Sequence, residues 1–574
     1  MTSSAVRVRC EVMPNIERAE KDFERELQAA IDLIVQSNHP KKIVVAGPGA
    51  GKTSLFKKLL SKSKAANKDA NHLVVTFISA LAEELKHDLS ELADVFTFHA
   101  HCKQLLHRNP YLRDGLIEGF RVFPKLPSLI KSDWSLIRSR DEAPPHFVKL
   151  MREAIDSDAT RFFLDRSNYY DAVSFDDMVF RVYLKLAATP YAAERHDLIL
   201  VDEYQDFNLL EISLLDLLSR KSPIVVAGDD DQVLYGALRS SHWNFIRQCY
   251  ASPDYETCEL PFCLRCPEVV VNAFDDVVRA ATAAGLLKGR IPKAYRYFPP
   301  YKERDSAAHP KLHVIQTSIQ KSGTGNYFGR VIAEVVQSIP RQYIKDSRDG
   351  GYPTVLIIGN KQYLTQVLAY LKERGYVVDE KVDAEGEEDQ IKREDGLKIL
   401  KEDAGSSLGW RIMLEVDKPP FFTKATVRML STKPLVPVIP NAYRDRVSAE
   451  VQKFEEPPTK AKQPQPEFGK PTIKLTSFQS AKGLSAQYVF VVGLHDRDLP
   501  KNASKVDDIE VCKFLVALTR TRKQCFLLWT RRFAGVPKQP SMFLNWIDRS
   551  RKNYTYVDAK YLKEREKQAR PRAS

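Results

Sequence analysis

Cysteine is scarce in this chain, and its eight cysteines in 574 residues show no secreted-type disulfide framework. Long apolar runs are missing too, since no segment approaches the ~20 uninterrupted apolar residues that a membrane-spanning helix needs. The N-terminal region lacks the apolar block of a secretory signal. Internal repeats and nuclease-like motifs do not stand out. We therefore expect reduced thiols and a cytoplasmic protein of about three or four domains.

Positive charge is in excess. The sequence holds 87 Lys and Arg against 74 Asp and Glu, which gives a formal net charge of +13 and a pI near 9.1. Such a balance implies a polyanionic partner, but charge alone does not separate nucleic acid from an acidic membrane surface. Hydrophobic residues make up 43% of the chain, which is ample for buried cores.

A glycine-rich loop lies between an apolar run at 43–46 and a predicted helix from residue 54 onward. Its glycines allow the backbone N–H groups to point at the phosphates of a nucleotide, and the helix N-terminus adds partial positive charge. In such a loop the lysine neutralises phosphate charge and the hydroxyl of Thr53 ligates Mg²⁺. This context favours a nucleoside triphosphate site over a turn that binds nothing. The predicted binding residues are Gly47, Pro48, Gly49, Ala50, Gly51, Lys52, Thr53 and Ser54.

A second segment, 197–208, reads as a buried strand that ends in two carboxylates. Asp202 is placed to hold the Mg²⁺ shell, and Glu203 to polarise an attacking water. Small-molecule kinases usually lack the second carboxylate because their nucleophile is the substrate. The pair therefore indicates hydrolysis. A third strand, 223–227, leads to Gln232, which we expect to sense the γ-phosphate; alone, this stretch would read as a polar surface loop.

Together these three segments resemble the UvrD/Rep/PcrA group of superfamily 1 (1A) DNA helicases. Further segments match the motifs of that family in the same order along the chain. They lie at 74–85, 96–102, 174–178, 260–266, 477–484 and 514–523.

The resemblance implies an α/β protein with two RecA-like P-loop NTPase domains, each a parallel sheet flanked by helices, and with helical 1B and reduced 2B insertions. We expect one sheet to contain the strand before the glycine loop, the strand before Asp202 and the strand before Gln232. The predicted ranges are domain 1A at 1–96 and 184–275, insertion 1B at 97–183, domain 2A at 276–379 and 473–574 with a basic tail, and insertion 2B at 380–472. The 2B range includes an acidic stretch at 383–389 and a Pro-rich connector at 457–471.

The resemblance also assigns the remaining nucleotide contacts. Arg265 and Arg520 become cations on the γ-phosphoryl group, with Arg520 as the arginine finger; the alternative for Arg520 is a surface salt bridge. Gln28 is the candidate adenine-reading residue, and Gly483 lies in a nucleotide-contacting motif. We expect Arg522 and Lys523 to be solvated.

Three positions depart from the family pattern. Leu264 replaces a base-stacking tyrosine, so that stacking must be weaker or come from Phe262 or elsewhere. Gln479 replaces a histidine, and Ser485 replaces the carboxylate that touches ribose. We expect base selectivity and the coupling of ATP to DNA to differ from those of the relatives.

DNA is expected to cross the tops of both RecA-like domains. By motif the contacts are Phe77, His99 and Tyr235. Simple core packing is the alternative for Phe77, and a structural hydrogen bond for His99. Because the register shifts at 236–239, Trp243 is a candidate substitute for a base-stacking aromatic.

Four cysteines, Cys249, Cys258, Cys263 and Cys266, lie within eighteen positions. Their spacing invites a metal or iron–sulfur hypothesis. The last two flank Arg265, which must reach ATP, so that we favour buried thiols.

The sequence thus predicts an ATP-dependent DNA helicase that hydrolyses ATP with Mg²⁺, moves 3′→5′ on single-stranded DNA and unwinds duplexes. Single-stranded and tailed duplex DNA are the expected substrates, with repair or defence proteins as partners and no membrane. An alternative is a DNA-stimulated translocase or nucleotide-gated DNA-binding subunit of a repair or anti-phage complex, with little unwinding. An RNA-directed helicase is disfavoured because the matching motifs belong to DNA enzymes.

Overall fold

The computed structural model describes residues 4–77, 79–138, 143–235, 242–381, 390–422, 426–455 and 469–569. Among the helices of these residues, none combines the length and the apolar character needed to cross a membrane. The acidic stretch at 383–389 and most of the predicted Pro-rich connector lie outside the described residues, as does the register shift at 236–239.

Nineteen strands are found in the described part of the chain. They are β1 Lys41–Ala46, β2 His72–Thr76, β3 Asp94–Thr97, β4 Arg121–Val122, β5 Ala172–Val173, β6 Leu198–Val201, β7 Ile224–Gly228, β8 Glu256–Leu260, β9 Phe262–Cys263, β10 Arg296–Tyr297, β11 Leu312–Thr317, β12 Val355–Gly359, β13 Val378–Lys381, β14 Ile473–Thr476, β15 Ala486–Val492, β16 Thr521–Thr530, β17 Arg532–Phe533, β18 Val536–Pro537 and β19 Lys552–Val557.

The first large sheet is parallel throughout and has the strand order β3-β2-β6-β7-β1-β8. Its central strands are short β-branched runs buried on both faces, as parallel sheets covered by helices require. Ile43 of β1 pairs with Val226 of β7, and Ile199 of β6 pairs with Ile224. The strands that precede the glycine loop, Asp202 and Gln232 are therefore neighbours.

The second large sheet is also parallel and has the order β13-β14-β12-β15-β16-β11-β19. Ile357 at its centre lies between Leu475 and Phe490 of the flanking strands. The fold class predicted from the sequence, large parallel sheets flanked by helices, is confirmed.

Helices cover both large sheets. They also form most of the two segments predicted as insertions 1B and 2B. Their bounds are Ser4–Gln36, Lys52–Ala66, Ser79–Leu89, Phe98–Arg108, Pro110–Arg113, Leu126–Ile137, Phe147–Arg152, Asp158–Tyr170, Phe175–Ala188, Leu209–Ser219, Trp243–Ala251, Glu268–Ala283, Pro299–Ala308, Tyr327–Gln337, Arg341–Asp349, Lys361–Glu373, Arg393–Glu402, Ser407–Asp417, Thr426–Leu430, Asn441–Lys453, Asp508–Thr519, Phe543–Trp546 and Ala559–Ala569.

Two helical regions, those predicted as insertions 1B and 2B, contact each other through a buried ionic cluster. Asp133 of the first region is fully buried and accepts hydrogen bonds from Arg166 Nε at 2.9 Å and Tyr170 Oη at 2.5 Å. Arg411 Nε of the second region donates to the same carboxylate at 2.8 Å. We call this group the Asp133 cluster. It ties segments together that are 278 positions apart.

The predicted domain boundaries stay predictions. The one between 275 and 276 falls inside the helix Glu268–Ala283, which packs against the helix Asp508–Thr519.

Candidate nucleotide site

One cleft of about 260 Å³ collects loops from both sheets. From the first sheet come the loops that follow the carboxyl ends of β1, β6 and β7. From the second come the segments at the amino ends of β15 and β16. The lining residues are Gly47, Pro48, Gly49, Ala50, Gly51, Lys52, Thr53, Leu81, Leu85, Asp202, Glu203, Gln232, Leu264, Arg265, Gly483, Arg520 and Arg522.

The glycine loop needs glycine for two reasons at Gly49. Its φ is +75°, a left-handed conformation that side chains rarely adopt. A Cβ there would also lie 2.5 Å from Cβ of Arg265. The contact is fixed by Leu264, whose N–H donates to Gly49 O at 2.9 Å. The loop therefore brings the segment that carries Arg265 against the phosphate site.

Lys52 bridges the two carboxylates that end β6. Its Nζ lies 2.5 Å from Glu203 Oε1 and 3.1 Å from Asp202 Oδ1. Burial alone would lower the pKa of Lys52, but the two carboxylates outweigh it and hold that pKa above its usual value. Burial raises the pKa of Asp202, against the charge of Lys52.

Glu203 is held by two further contacts, from Gln205 and Lys482. Its backbone is left-handed, with φ at 54°, and its Oε2 accepts from Gln205 Nε2 at 2.6 Å. Lys482 Nζ, from the segment before β15, lies 3.3 Å from Glu203 and 2.6 Å from Asp206. Although burial would raise the pKa of Glu203, Lys52 and Lys482 keep that pKa well below its usual value. Burial raises the pKa of Asp206 to about 6.

Gln232 links the two halves of the cleft. Its Nε2 donates to Asp229 Oδ2 at 2.9 Å, and its Oε1 accepts from Arg520 Nη2 at 3.2 Å. Its backbone carbonyl accepts from Lys482 Nζ at 2.8 Å. Through its side-chain amide and its backbone carbonyl, Gln232 thus contacts Asp229 and two cations from the second half of the cleft, Arg520 and Lys482.

Arg520 is buried beside another arginine. Its Nη1 donates to Leu484 O at 3.3 Å, and Arg265 Nη1 donates to Thr519 O at 3.5 Å. Burial, followed by the like charge of Arg265, lowers the pKa of Arg520 to about 10. Two guanidinium groups held together in a cleft are suited to a polyanion.

Three residues of the cleft region were missed by sequence reasoning: Lys482, Gln205 and Lys293. A signal existed for the first, which stands beside Gly483 in a predicted motif. No local signal marked Lys293, whose side chain is 2% exposed and which contacts Asp229, Asp230 at 2.5 Å and Asp231 at 2.9 Å.

That aspartate group is the only set of acidic, histidine or cysteine ligand atoms in the described residues that is close enough for a metal. Lys293 contacts all three carboxylates, Arg290 lies 2.8 Å from Asp231 and Arg247 lies 2.8 Å from Asp230. The cations occupy the position of a metal. Lys293 thereby fixes Asp229, which in turn orients Gln232.

Some predicted residues do not reach the cleft. Gln28 is exposed, donates to Asp32 and accepts from Lys58, and it does not line the cleft. Ser54 follows the lining residues on the helix Lys52–Ala66 and is exposed. Phe262 is fully buried under Arg296, so that it offers no face to a base.

The expectation that Arg522 and Lys523 are solvated is wrong. Arg522 is half-buried, lines the cleft and lies over the ring of Tyr352, with 3.8 Å from Cζ to the ring centroid. Lys523 Nζ lies 2.6 Å from Asp305. Both side chains therefore contact other residues of the protein.

Thr53 and Asp202 both line the cleft and supply the hard oxygen ligands that Mg²⁺ prefers. Their donor chemistry fits the ion, with nucleotide phosphates as the remaining ligands.

The predicted DNA contacts lie in three separate groups. Phe77 and Tyr235 contact each other, with ring centroids 5.3 Å apart. The ring of His99 lies 5.5 Å from that of Phe175. Trp243 begins a helix and lies against His242.

Most of the predicted cysteine cluster is buried. Cys249, Cys263 and Cys266 are buried and unbridged, and Cys258 is half-buried. In the described ranges these residues do not assemble a metal-ligand group.

Comparison with known proteins agrees with this geometry. A family profile described as an AAA domain matches residues 28–238. The ATP-dependent DNA helicase PcrA of Staphylococcus epidermidis is 24% identical over an alignment of 393 residues, and the match covers 59% of this chain and 52% of that protein. The PcrA helicase of Staphylococcus aureus is 24% identical over 286 residues, 43% of this chain and 39% of the relative. The match thus spans about half the length of these relatives or less. The resemblance to UvrD/PcrA-like superfamily 1 helicases is confirmed.

Proposed function

We propose, from this kinship with UvrD/PcrA-like superfamily 1 helicases, that the chain is an ATP-dependent DNA helicase. It hydrolyses ATP with Mg²⁺, translocates 3′→5′ on single-stranded DNA and separates duplexes. The observation that carries the proposal is the cleft itself. The six predicted catalytic residues come from distant segments and line one space: Lys52, Asp202, Glu203, Gln232, Arg265 and Arg520.

In this mechanism Lys52 leaves its carboxylate partners to neutralise phosphate charge. Its departure removes a cation that depresses the pKa of Glu203, so that Glu203 becomes a better acceptor for the proton of the attacking water. Arg520 and Arg265 stabilise the charge that develops on the γ-phosphoryl group. Mg²⁺, held by Thr53 and Asp202, would supply further neutralisation of the phosphates.

Coupling to DNA is supported by a contact outside the cleft. Tyr235, a predicted DNA contact that follows β7, donates from Oη to the carbonyl of Gln479 at 3.0 Å. Gln479 lies three positions before Lys482, which contacts Glu203 and Gln232. A shift of the second sheet toward bound phosphate would therefore be transmitted to the DNA-facing loops.

The test uses Lys52→Ala beside the unaltered chain, assayed for ATP hydrolysis with single-stranded DNA, RNA or no polymer. We expect DNA to stimulate the unaltered chain and Lys52→Ala to lose turnover. Near-normal DNA-stimulated hydrolysis by Lys52→Ala would refute the assignment. Duplexes with 3′ or 5′ tails then test polarity.

A second candidate is a DNA-stimulated translocase or nucleotide-gated subunit of a repair or anti-phage complex, with little unwinding. The Asp133 cluster favours it, because that buried contact restricts independent movement of the second helical region. ATP-driven movement on single strands without separation of either tailed duplex would select this candidate.

A further inference from the structure

The nucleotide cleft continues outward into a second cavity of about 590 Å³. The two spaces share Leu81, Gly483 and Arg522 as lining residues, so they adjoin each other. The inner part holds the phosphate-binding groups. Apart from Lys482 and the shared residues, the lining of the outer part has no role in the function proposed above.

The outer cavity is built on three adjacent strands of the second sheet. Strands β12, β15 and β16 are neighbours and parallel, so their amino ends lie side by side. Tyr352 precedes β12, Ser485 precedes β15 and Arg522 lies at the start of β16. His87 and Asp88 of the helix Ser79–Leu89 form the opposite wall.

Tyr352 and Arg522 form a fixed stacked pair. The guanidinium Cζ lies 3.8 Å from the ring centroid of Tyr352, and Arg522 Nε donates to Ser485 Oγ at 2.9 Å. The hydroxyl of Tyr352 accepts from Nε2 of the buried Gln487 at 3.1 Å. Flat, charged and preorganised, such a pair is a stacking platform for a nucleobase.

The inner cleft offers the base no comparable partner. None of its lining residues in the described chain is aromatic. Leu264, in the position where a tyrosine was expected, contributes only an aliphatic surface beside Gly51. The amide of Gln28 is engaged by Asp32 and Lys58.

We propose that the outer cavity is the nucleoside subsite of this cleft, with the base stacked on the Tyr352–Arg522 pair that Ser485 holds in place. The inference rests on the proposed function, since it needs the triphosphate to occupy the glycine loop. Stacking tolerates every base because each has a π-face. ATP and GTP should therefore bind with similar affinity, and UTP more weakly because its ring is smaller.

Titration calorimetry of the full chain with Mg²⁺ tests this subsite, with ATP, GTP, UTP and inorganic tripolyphosphate as ligands. Tyr352→Ala should weaken ATP binding by about 10-fold, the scale of one lost stacking contact. Tripolyphosphate has no base. Its affinity for Tyr352→Ala should therefore stay within about twofold of its affinity for the unaltered chain. Tyr352→Phe keeps the ring and should bind ATP normally.

Tyr554→Ala is the matched control, because Tyr554 is an exposed tyrosine on β19 that also lies under an arginine, Arg549. Its ATP affinity should not change. The subsite is refuted if Tyr352→Ala binds ATP normally while Leu264→Ala weakens it, or if Tyr352→Ala loses ATP and tripolyphosphate equally. Failure of the unaltered chain to bind tripolyphosphate or ATP would refute the proposed function together with this inference.

Discussion

Two buried ionic networks join distant parts of this chain, one in the nucleotide cleft and one at the contact between the helical regions. In the Asp133 cluster the carboxylate takes hydrogen bonds from Arg166, Arg411 and Tyr170 at 2.5 to 2.9 Å. In the cleft, Arg265 and Arg520 lie side by side and reach backbone carbonyls at 3.5 and 3.3 Å. Both arginines of the Asp133 cluster thus pair with a carboxylate, whereas in the described residues neither Arg265 nor Arg520 forms an ion pair with one.

The difference follows from the cost of burying charge. A buried ion pair is stable only when its partners are complete, and loss of one partner leaves an uncompensated charge. Burial, followed by the like charge of Arg265, lowers the pKa of Arg520, and an anion bound in the cleft would relieve that repulsion. Saturation therefore marks a structural contact, and unbalanced cations mark a ligand site.

Arg520→Ala should break the cleft network with the largest effect. We expect kcat for DNA-stimulated ATP hydrolysis to fall about 10³-fold, the scale of a lost arginine finger, with KM changed much less. Stability should change little, because removal of the like-charge contact offsets the loss of the hydrogen bonds of Arg520. Steady-state kinetics and thermal unfolding measure both. If Arg520→Ala unfolded more easily but kept its turnover, Arg520 would be a structural residue like those of the Asp133 cluster.

Arg411→Met should lower the stability of the protein and leave its turnover unchanged, the opposite of Arg520→Ala. It removes one of the partners of Asp133, and breaking such a buried pair costs about 3–5 kcal/mol. Chemical unfolding measures the loss, while kcat should be retained under conditions where the variant is folded. Arg446→Met is the control, since Arg446 is 56% exposed in its pair with Asp417. Equal unfolding free energies for the two variants would contradict a structural role for the Asp133 cluster.

Lys293→Met sharpens the comparison, because Lys293 pairs with three aspartates directly behind the cleft, Asp229, Asp230 and Asp231. Without Lys293, Asp229 loses a partner and Gln232 loses its orientation, so that kcat should fall about 10-fold while KM for ATP stays within about twofold. Lys293→Arg should restore part of the rate. Arg247→Met, which removes a cation from Asp230 alone, should leave kcat near normal. Similar kinetics for Lys293→Met and Arg247→Met would argue against a positioning role.

Local sequence signals were enough to predict the inner cleft. The glycine loop, Asp202, Glu203 and Gln232 each follow an apolar strand, and parallel strands bring such loops to one edge. The same reasoning failed for Gln28, which was placed by motif alone and whose amide is held by Asp32 and Lys58. It failed again for Arg522, since nothing in the segment 519–523 shows that Tyr352 lies beside it.

The sequence by itself determined the two parallel sheets and the phosphate-binding half of the site. The signals for these features are apolar runs, glycine spacing and carboxylates after strands, and each is contained in a few consecutive residues. Only the tertiary structure decided which charges meet. Lys482 reaches Glu203 across 279 positions of chain, Lys293 reaches Asp229 across 64, and Tyr352 meets Arg522 across 170. Such pairs leave no periodic trace in the sequence, because each is fixed by the packing of whole sheets and helices.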